Sequence, residues 1–508
     1  MDNTERRAKI MATLGPASTK EEVLRELIRA GVDLIRLNLS HGNQEQHRKT
    51  VHLIRHVAAQ ERCQLPIVMD LMGPRYRLGQ IPGEGRQLQP GERVILGLEA
   101  GESGGAGVLP VDPEILGYLC PGERVLIDSG LIELRVESKQ GERVEAEVVN
   151  GGPVKTRKGI NLPDTHLPFD ISEKDRSDIA FAVAEGADYL AASYVGEADH
   201  IEAIRRVVRE AGGQIPIVAK LERATALEHL DDITAAADGI MVARGDLGVE
   251  VPLHTVPVHQ KRIVAAGRRA GKPVIVATQM LESMVEQPRP TRAEATDVAN
   301  AVFDGADALM LSGETAAGKY PVQAVATMSR IILEAEAYAA QTHQERPAER
   351  PALHPLGDVH ARSTLALDPS IAEGEHHEPE LGVPDVVSAA AVYAADQLAV
   401  RRIVAYSQSG FTARLAARYR PRSPIVAFTP DERVARQLQL VWGVRPHVIA
   451  GEDVGSLDDV VQVVERQLLE ARLVAPEDRV IILMGHPIRE KPLTNLMRVH
   501  RIRPRQAS

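Results

Sequence analysis

Eight units, each a short Val- and Ile-rich run followed by an amphipathic helical stretch, predict an α/β chain built on a closed (β/α)8 TIM barrel. The alternation breaks between about Gly79 and Thr165, and it restarts at Asp385 after a Pro-, His- and Glu-rich stretch. Those two breaks predict an inserted small β-barrel lid domain and a separate C-terminal α/β domain. The expected division is 1–78 and 166–343 for the barrel, 79–165 for the insert, 344–384 for a linker or loose segment, and 385–508 for the last domain. Two smaller doubly wound domains split at the first break are the alternative architecture.

Three units precede the insert. Their runs are Lys9–Thr13, Val32–Leu37 and Ile67–Asp70, and helices are expected over Ser18–Ala30 and Gln44–Ala59. Ser18 with Glu21 three residues on reads as a capping box. Five units follow the insert, with strands expected at Tyr189–Ser193, Ile217–Leu221, Gly239–Ala243, Pro273–Ala277 and Ala308–Leu311. Gly31, Gly186 and Gly212 stand just past expected helix ends, where a left-handed residue closes the last turn. In the insert, Arg93–Leu98, Arg124–Ile127, Ile132–Val136 and Val144–Val149 alternate like strands between Gly- and Pro-containing turns. Its place matters, because loops after barrel strands lie at the catalytic face.

Composition narrows the function. Aromatic residues are 3% of the chain and the net charge is −10, both contrary to a nucleic-acid binder. Two cysteines, Cys63 and Cys120, make no disulfide framework, which points to a reducing cytoplasm. The first residues lack the apolar core of a secretion signal, and no apolar run approaches the ~18 residues that span a membrane.

Chemistry-bearing residues gather at the expected strand ends. The second strand leads into Arg36–Gly42, the third ends at Asp70, the fifth carries Lys220 and Glu222, the sixth runs into Arg244-Gly245-Asp246, and the seventh into Thr278-Gln279. One such residue reads as a surface salt bridge; five polar strand ends at one face read as a site. Strand alternation points Lys220 and Glu222 the same way. Glu222 and Asp246, carboxylates from neighbouring strands, suit Mg2+ or Mn2+, which keeps positions for water and phosphate. Lys220 is a compact cation able to neutralise a transferring phosphoryl group.

These motifs, together with Thr13–Ser18, Lys158–Pro163, Ala277–Met284, Leu311–Ala316 and Thr494-Asn495-Leu496, make the chain resemble a pyruvate kinase over nearly its full length. The resemblance implies transfer of the phosphoryl group of phosphoenolpyruvate to ADP, giving pyruvate and ATP at the end of glycolysis. It implies metal ligation by Glu222 and Asp246 and phosphoryl stabilisation by Lys220. It also implies a phosphate contact from Arg36 and a substrate cradle of Gly245, Asp246 and Thr278, with Thr278 assisting enolate protonation. Asn38, His41, Arg77 and Lys158 match the nucleotide side. A homotetramer, free of nucleic acid and membrane, is the implied assembly.

The departures are informative. Asn38, Ser40, Asp70 and Leu71 occupy the family's K+ positions. Where K+-requiring members read Asp-Thr-Lys-Gly-Pro-Glu-Ile-Arg-Thr-Gly, this chain reads Asp70-Leu71-Met72-Gly73-Pro74-Arg75-Tyr76-Arg77-Leu78-Gly79. Met72 loses a positive charge and Arg75 replaces a negative one, so the net gain is the charge of one K+. The resemblance therefore implies activity without K+, with Arg75 as an internal cation. Arg223, Tyr194 and Gly196 also replace the usual Asn, Phe and Arg. In the last domain, Ser407, Ser409, Gly410 and Thr412 match an effector loop and imply a phosphorylated activator; a plain helix cap is the other reading. His52 and His56, at i,i+4 spacing, read as a solvated helix face. A metal-dependent lyase and a catalytically silent metabolite sensor remain competing functions.

Overall fold

The computed structural model describes residues 5–98, 108–345, 382–449, 456–488 and 493–503, so most of the expected linker lies outside the described residues. Eight parallel strands close a barrel in the order β1-β8-β7-β6-β5-β4-β3-β2. They are β1 Lys9–Thr13, β2 Leu34–Asn38, β3 Ile67–Asp70, β4 Tyr189–Ala192, β5 Ile217–Leu221, β6 Gly239–Ala243, β7 Val274–Ala277 and β8 Ala308–Leu311. The expected β2 is displaced toward its C-terminal end, because Val32 and Asp33 belong to the turn that follows Gly31 in the left-handed region at φ 114.

The capping box at Ser18 is not formed. Lys20 is the first helix's N-cap, and the Ser18 hydroxyl instead accepts from the Gly15 N–H at 3.1 Å. Ser18 thus closes the Gly15–Ser18 turn at the barrel mouth and leaves the helix to start at Glu21.

The floor of the barrel carries a repeat that the linear pattern hides. Gly31-Val32-Asp33, Gly186-Ala187-Asp188, Ala236-Ala237-Asp238 and Gly305-Ala306-Asp307 each precede an even-numbered strand. Each aspartate accepts the N–H that starts the neighbouring odd strand: Ile10 to Asp33, Ile67 to Asp188, Ile217 to Asp238 and Val274 to Asp307, all at 2.8–2.9 Å. Each also pairs with arginine: Arg6, Arg55, Arg205 and Arg420 in turn. A buried carboxylate tolerates burial only when so satisfied.

Residues 76–161 fold into a seven-stranded sheet with a two-stranded companion. The sheet curls until its edges meet at the Leu78–Val111 bridge, around an aliphatic core that includes Leu96, Leu109, Ile127 and Leu134. The last domain is a five-stranded sheet. Its strands are β9 Arg402–Tyr406, β10 Ile425–Thr429, β11 Val444–Val448, β12 Arg479–Met484 and β13 Leu496–Arg501, in the order β11-β10-β9-β12-β13 with only β13 antiparallel.

This domain closes the barrel floor. Leu440 packs among the inward-facing Met11, Leu34, Tyr189 and Met241. Arg436 binds Asp188 at 2.7 Å, Arg420 binds Asp307 at 2.9 Å, and the Tyr189 hydroxyl donates to the Gln437 carbonyl at 2.9 Å. Among the described residues no helix is long and apolar enough to cross a membrane.

Asp188→Ala strips the floor of a fully buried carboxylate shared by Arg55, Arg436 and the Ile67 N–H. Loss of about 3–5 kcal/mol is expected, read as a lowered thermal unfolding midpoint, whereas the solvent-facing Arg48→Ala leaves the midpoint unchanged. An Asp188→Ala protein that melts with wild type contradicts the account.

Candidate active site at the barrel mouth

The C-terminal ends of β2 to β5 bring four charged side chains together. Lys220 Nζ lies 2.8 Å from Glu222 Oε1 and 3.2 Å from Asp70 Oδ1, and it donates to the Ser193 hydroxyl at 2.6 Å. Arg36 Nε meets Asp70 Oδ2 at 2.6 Å, and its Nη1 reaches the Thr13 hydroxyl at 3.2 Å. Lys220, Glu222 and Asp70 are buried, so these pairs act in a medium that screens little.

The electrostatics follow from burial and partners. Burial alone would neutralise Lys220, but Asp70 and Glu222 outweigh it and hold the ammonium above the ordinary lysine range. Burial works on Asp70 too, yet Lys220 and Arg36 overcome it and keep that carboxylate acidic. Glu222 is the unrelieved member. Burial, offset only in part by Lys220 and reinforced by Asp246, pushes its carboxyl up to about 7. Its Oε1 forms no well-aligned hydrogen bond, while Oε2 accepts from the Tyr194 N–H at 2.7 Å.

Asp246 stands half-exposed in the first turn of the helix Arg244–Glu250, which starts where β6 ends. Glu222 and Asp246 therefore offer a divalent cation two carboxylates and the under-bonded Oε1. That donor set fits Mg2+ or Mn2+, whose remaining positions go to water and substrate oxygens. Among the described residues no group of three or more His, Cys, Asp or Glu side chains could enclose a metal on its own. His52 instead lies near Glu185 and His56 bonds Gln60 on the outer helix.

Thr278 and Gln279, at the end of β7, both adopt left-handed backbones (φ 68 and 54). Such residues cost on the order of 1–3 kcal/mol each and cluster at functional sites. The Thr278 hydroxyl accepts from the Gly245 N–H at 2.8 Å and donates to the Ala277 carbonyl at 2.7 Å. Arg244 holds the turn from outside, donating to the carbonyls of Thr278 at 2.6 Å and Gln279 at 3.1 Å. In the sequence Arg244 stands only as part of a strand end, with nothing to mark a role. Its spacing from a turn on another strand carries no linear signal.

The other site candidates are placed as follows. Asn38 Oδ1 accepts from the Ser40 N–H at 3.1 Å beside Asp70, and the Leu71 carbonyl accepts from the Ser193 hydroxyl at 2.9 Å. His41 is exposed at the rim. Arg77 and Lys158 sit on the lid, where Arg77 donates to the Arg157 carbonyl at 3.1 Å and Lys158 pairs with Asp128 at 2.7 Å. Between lid and barrel lies a cavity of about 200 Å3 whose walls include Arg75, Tyr76, Arg77, Tyr194, Asp246 and Glu250. Arg75 has its guanidinium 5.9 Å from the Tyr194 ring centroid. Burial opposes its charge, but Tyr194, Asp246, Glu222 and Asp70 hold its pKa above the ordinary arginine value. The returning lid strand is docked by Asn161, which donates to Glu250 Oε1 at 3.1 Å.

The loop Ser407–Thr412 is remote from this site. Ser407 and Thr412 are buried, and the Thr412 hydroxyl bonds that of Thr494 at 2.9 Å. Gly410 is left-handed at φ 78 as the N-cap of the helix Phe411–Arg418. The Ser409 carbonyl accepts from Arg414 at 2.9 Å.

Comparison with known proteins bears on the family and the fold. Residues 5–325 match the family model described as pyruvate kinase, barrel domain, and residues 385–500 match that of pyruvate kinase, alpha/beta domain. The chain is 41% identical to a pyruvate kinase of Agrobacterium vitis over 503 residues, covering 98% of this chain and 97% of that one. It is 39% identical to a pyruvate kinase of Mycobacterium tuberculosis over 498 residues, covering 98% of each. The crystal structure of a pyruvate kinase from Cryptosporidium parvum superposes with a TM-score of 0.86 at 33% identity, covering 99% of this chain and 97% of that one.

Arg244→Ala is expected to release the Thr278-Gln279 turn while the barrel stays folded. Amide hydrogen exchange should then speed up over 278–281 and stay unchanged on the floor. Protection at 278–281 equal to wild type would show that Arg244 does not hold the turn.

Proposed function

The chain belongs to the pyruvate kinase family, and on that premise we propose that it moves the phosphoryl group of phosphoenolpyruvate to ADP in this cleft without needing a monovalent cation. It is a phosphotransferase, and its family's products are pyruvate and ATP. The observation that carries the residue assignment is Lys220 Nζ, anchored by Glu222, Asp70 and Ser193 at the barrel mouth, one strand from Asp246.

In the reaction the bond between phosphorus and the enol oxygen breaks, and one to the terminal ADP oxygen forms. The enolate then takes a proton on carbon to become pyruvate. Lys220 places a fixed positive charge beside the moving phosphoryl group, and because it is already held, it pays no reorganisation during transfer. Arg36, locked on Asp70, supplies a second cation for the phosphate. The backbone at Gly245 and Asp246, at the start of a helix, suits the substrate carboxylate. Thr278 Oγ1, held between the Gly245 N–H and the Ala277 carbonyl, stands where it can pass a proton toward the enolate. Glu222 and Asp246 would hold Mg2+ or Mn2+. When bound, that ion would supply charge neutralisation for the phosphoryl group. Asn38, His41, Arg77 and Lys158 serve the nucleotide side, the last two arriving with the lid.

Arg75 supports the cation reading. It lines the same cavity as Asp246, lies within the electrostatic reach of Glu222 and Asp70, and adds a permanent positive charge where relatives that need K+ carry glutamate. Asn38, Ser40, Asp70 and Leu71 keep the oxygen-bearing surroundings, but Arg75 balances their charge. A cytoplasmic homotetramer, with a phosphorylated effector at Ser407, Ser409, Gly410 and Thr412, completes the proposal.

A coupled assay with phosphoenolpyruvate and ADP tests the assignment. Lys220→Met is expected to lower kcat by about 10^2–10^3, the cost of one lost charge-stabilising donor, and wild-type rates in that variant would sink it. Asp246→Asn is expected to weaken Mn2+ binding, followed by electron paramagnetic resonance, at least roughly tenfold, since even an outer partner of a metal ligand costs that much. Unchanged affinity would move the metal elsewhere.

A further inference from the structure

Tyr194 follows β4 in a left-handed conformation at φ 58, unusual for a residue with a side chain. Its backbone N–H donates to Glu222 Oε2 at 2.7 Å. Its ring faces the Arg75 guanidinium, 5.9 Å from centroid to Cζ. Ser193 beside it accepts from Lys220 at 2.6 Å and donates to the Leu71 carbonyl at 2.9 Å. The segment leading to Arg75 presses on the same elbow. A Cβ on Gly73, which sits at φ 66, would come 3.0 Å from Ser193 Cβ and 3.2 Å from Tyr194 Cδ2. One elbow therefore ties the side chains of Lys220 and Glu222 to the loop that carries Arg75.

Arg75 needs such a tie. Its long side chain is drawn toward Asp246, Glu222 and Asp70, yet among the described residues it forms no ion pair within 4.0 Å. A guanidinium free to swing would close onto Glu222 or Asp246 as a two-pronged pair and occupy the oxygens a divalent cation requires. An aromatic face satisfies the cation by its quadrupole without offering it a carboxylate.

We propose that Tyr194 is a positioning residue that sets the cation requirement of this active site. Its ring holds Arg75 where the guanidinium balances the three carboxylates together and leaves Glu222 and Asp246 open to the divalent metal. The inference rests on the reading of Arg75 as a built-in replacement for K+.

The test compares wild type with Tyr194→Phe, Tyr194→Leu and Arg75→Glu. Rates are measured in tetramethylammonium chloride and in KCl, and thallous-ion binding is followed by 205Tl NMR. Wild type and Tyr194→Phe, which keeps the ring, are expected to ignore KCl and leave the thallous line sharp. Tyr194→Leu and Arg75→Glu are expected to gain at least about tenfold stimulation by KCl, of the order a desolvated cation–π contact commands, and to broaden the line. If Tyr194→Leu does not fold, Tyr194→Met, which fills the space without a π face, carries the same expectation. Strong KCl activation of wild type overturns the Arg75 reading itself. Wild-type indifference with a K+-dependent Arg75→Glu and a slow but KCl-indifferent Tyr194→Leu overturns the role of Tyr194 alone.

Discussion

A buried ammonium is costly unless charged or polar partners meet it, and at the mouth of this barrel those partners are carboxylates. Lys220 is held by Glu222, Asp70 and Ser193, and Asp70 is in turn held by Arg36. Removing water makes these charges strong and makes any unpaired one costly. The cluster is balanced at Asp70 and left short of positive charge at Glu222, whose carboxyl burial and Asp246 push up. A site so arranged suits a divalent cation on one side and, as proposed, a second permanent cation from the chain itself on the other, Arg75. On the proposed reading, binding, transfer and cation requirement follow from one charge balance.

The strands beneath the cluster are tied to one another at their other ends. At the opposite end of the barrel, Asp33, Asp188, Asp238 and Asp307 staple each even strand to the odd strand beside it. Two of those carboxylates, Asp188 and Asp307, also receive arginines from the C-terminal domain, and Leu440 fills the space between. The floor and the mouth share the same strands, so the last domain packs against the opposite ends of the strands that carry Lys220 and Asp70. Above the mouth, Asn161 on Glu250 brings the lid against the helix that carries Gly245 and Asp246.

Much of this was legible in the sequence because it depends on periodicity. The barrel strands Lys9–Thr13, Ile67–Asp70, Ile217–Leu221, Gly239–Ala243 and Ala308–Leu311 stand where the apolar runs predict. Lys220 and Glu222 share a face because strand alternation puts them there, and Asp246 follows because it lies in the first turn of the helix after the next strand. What stayed hidden depends on contacts between distant segments. Ser18 looked like a helix cap but serves the turn at Gly15, a choice made by the barrel mouth and not by the helix. Arg244 and Tyr194 gain their roles only when β6 meets β7 and when the loop after β3 folds over β4. The floor aspartates sit in short Gly-X-Asp or Ala-Ala-Asp turns whose common purpose appears only once alternate strands are side by side.

The most direct test of the charge balance is a crystal grown with Mn2+ and oxalate, a stand-in for the enolate, and soaked in thallous acetate. The account predicts an anomalous manganese peak between Glu222 and Asp246, and no thallium within bonding distance of Asn38, Ser40 or Asp70. A thallium peak beside those three residues, with Arg75 turned away, would contradict it.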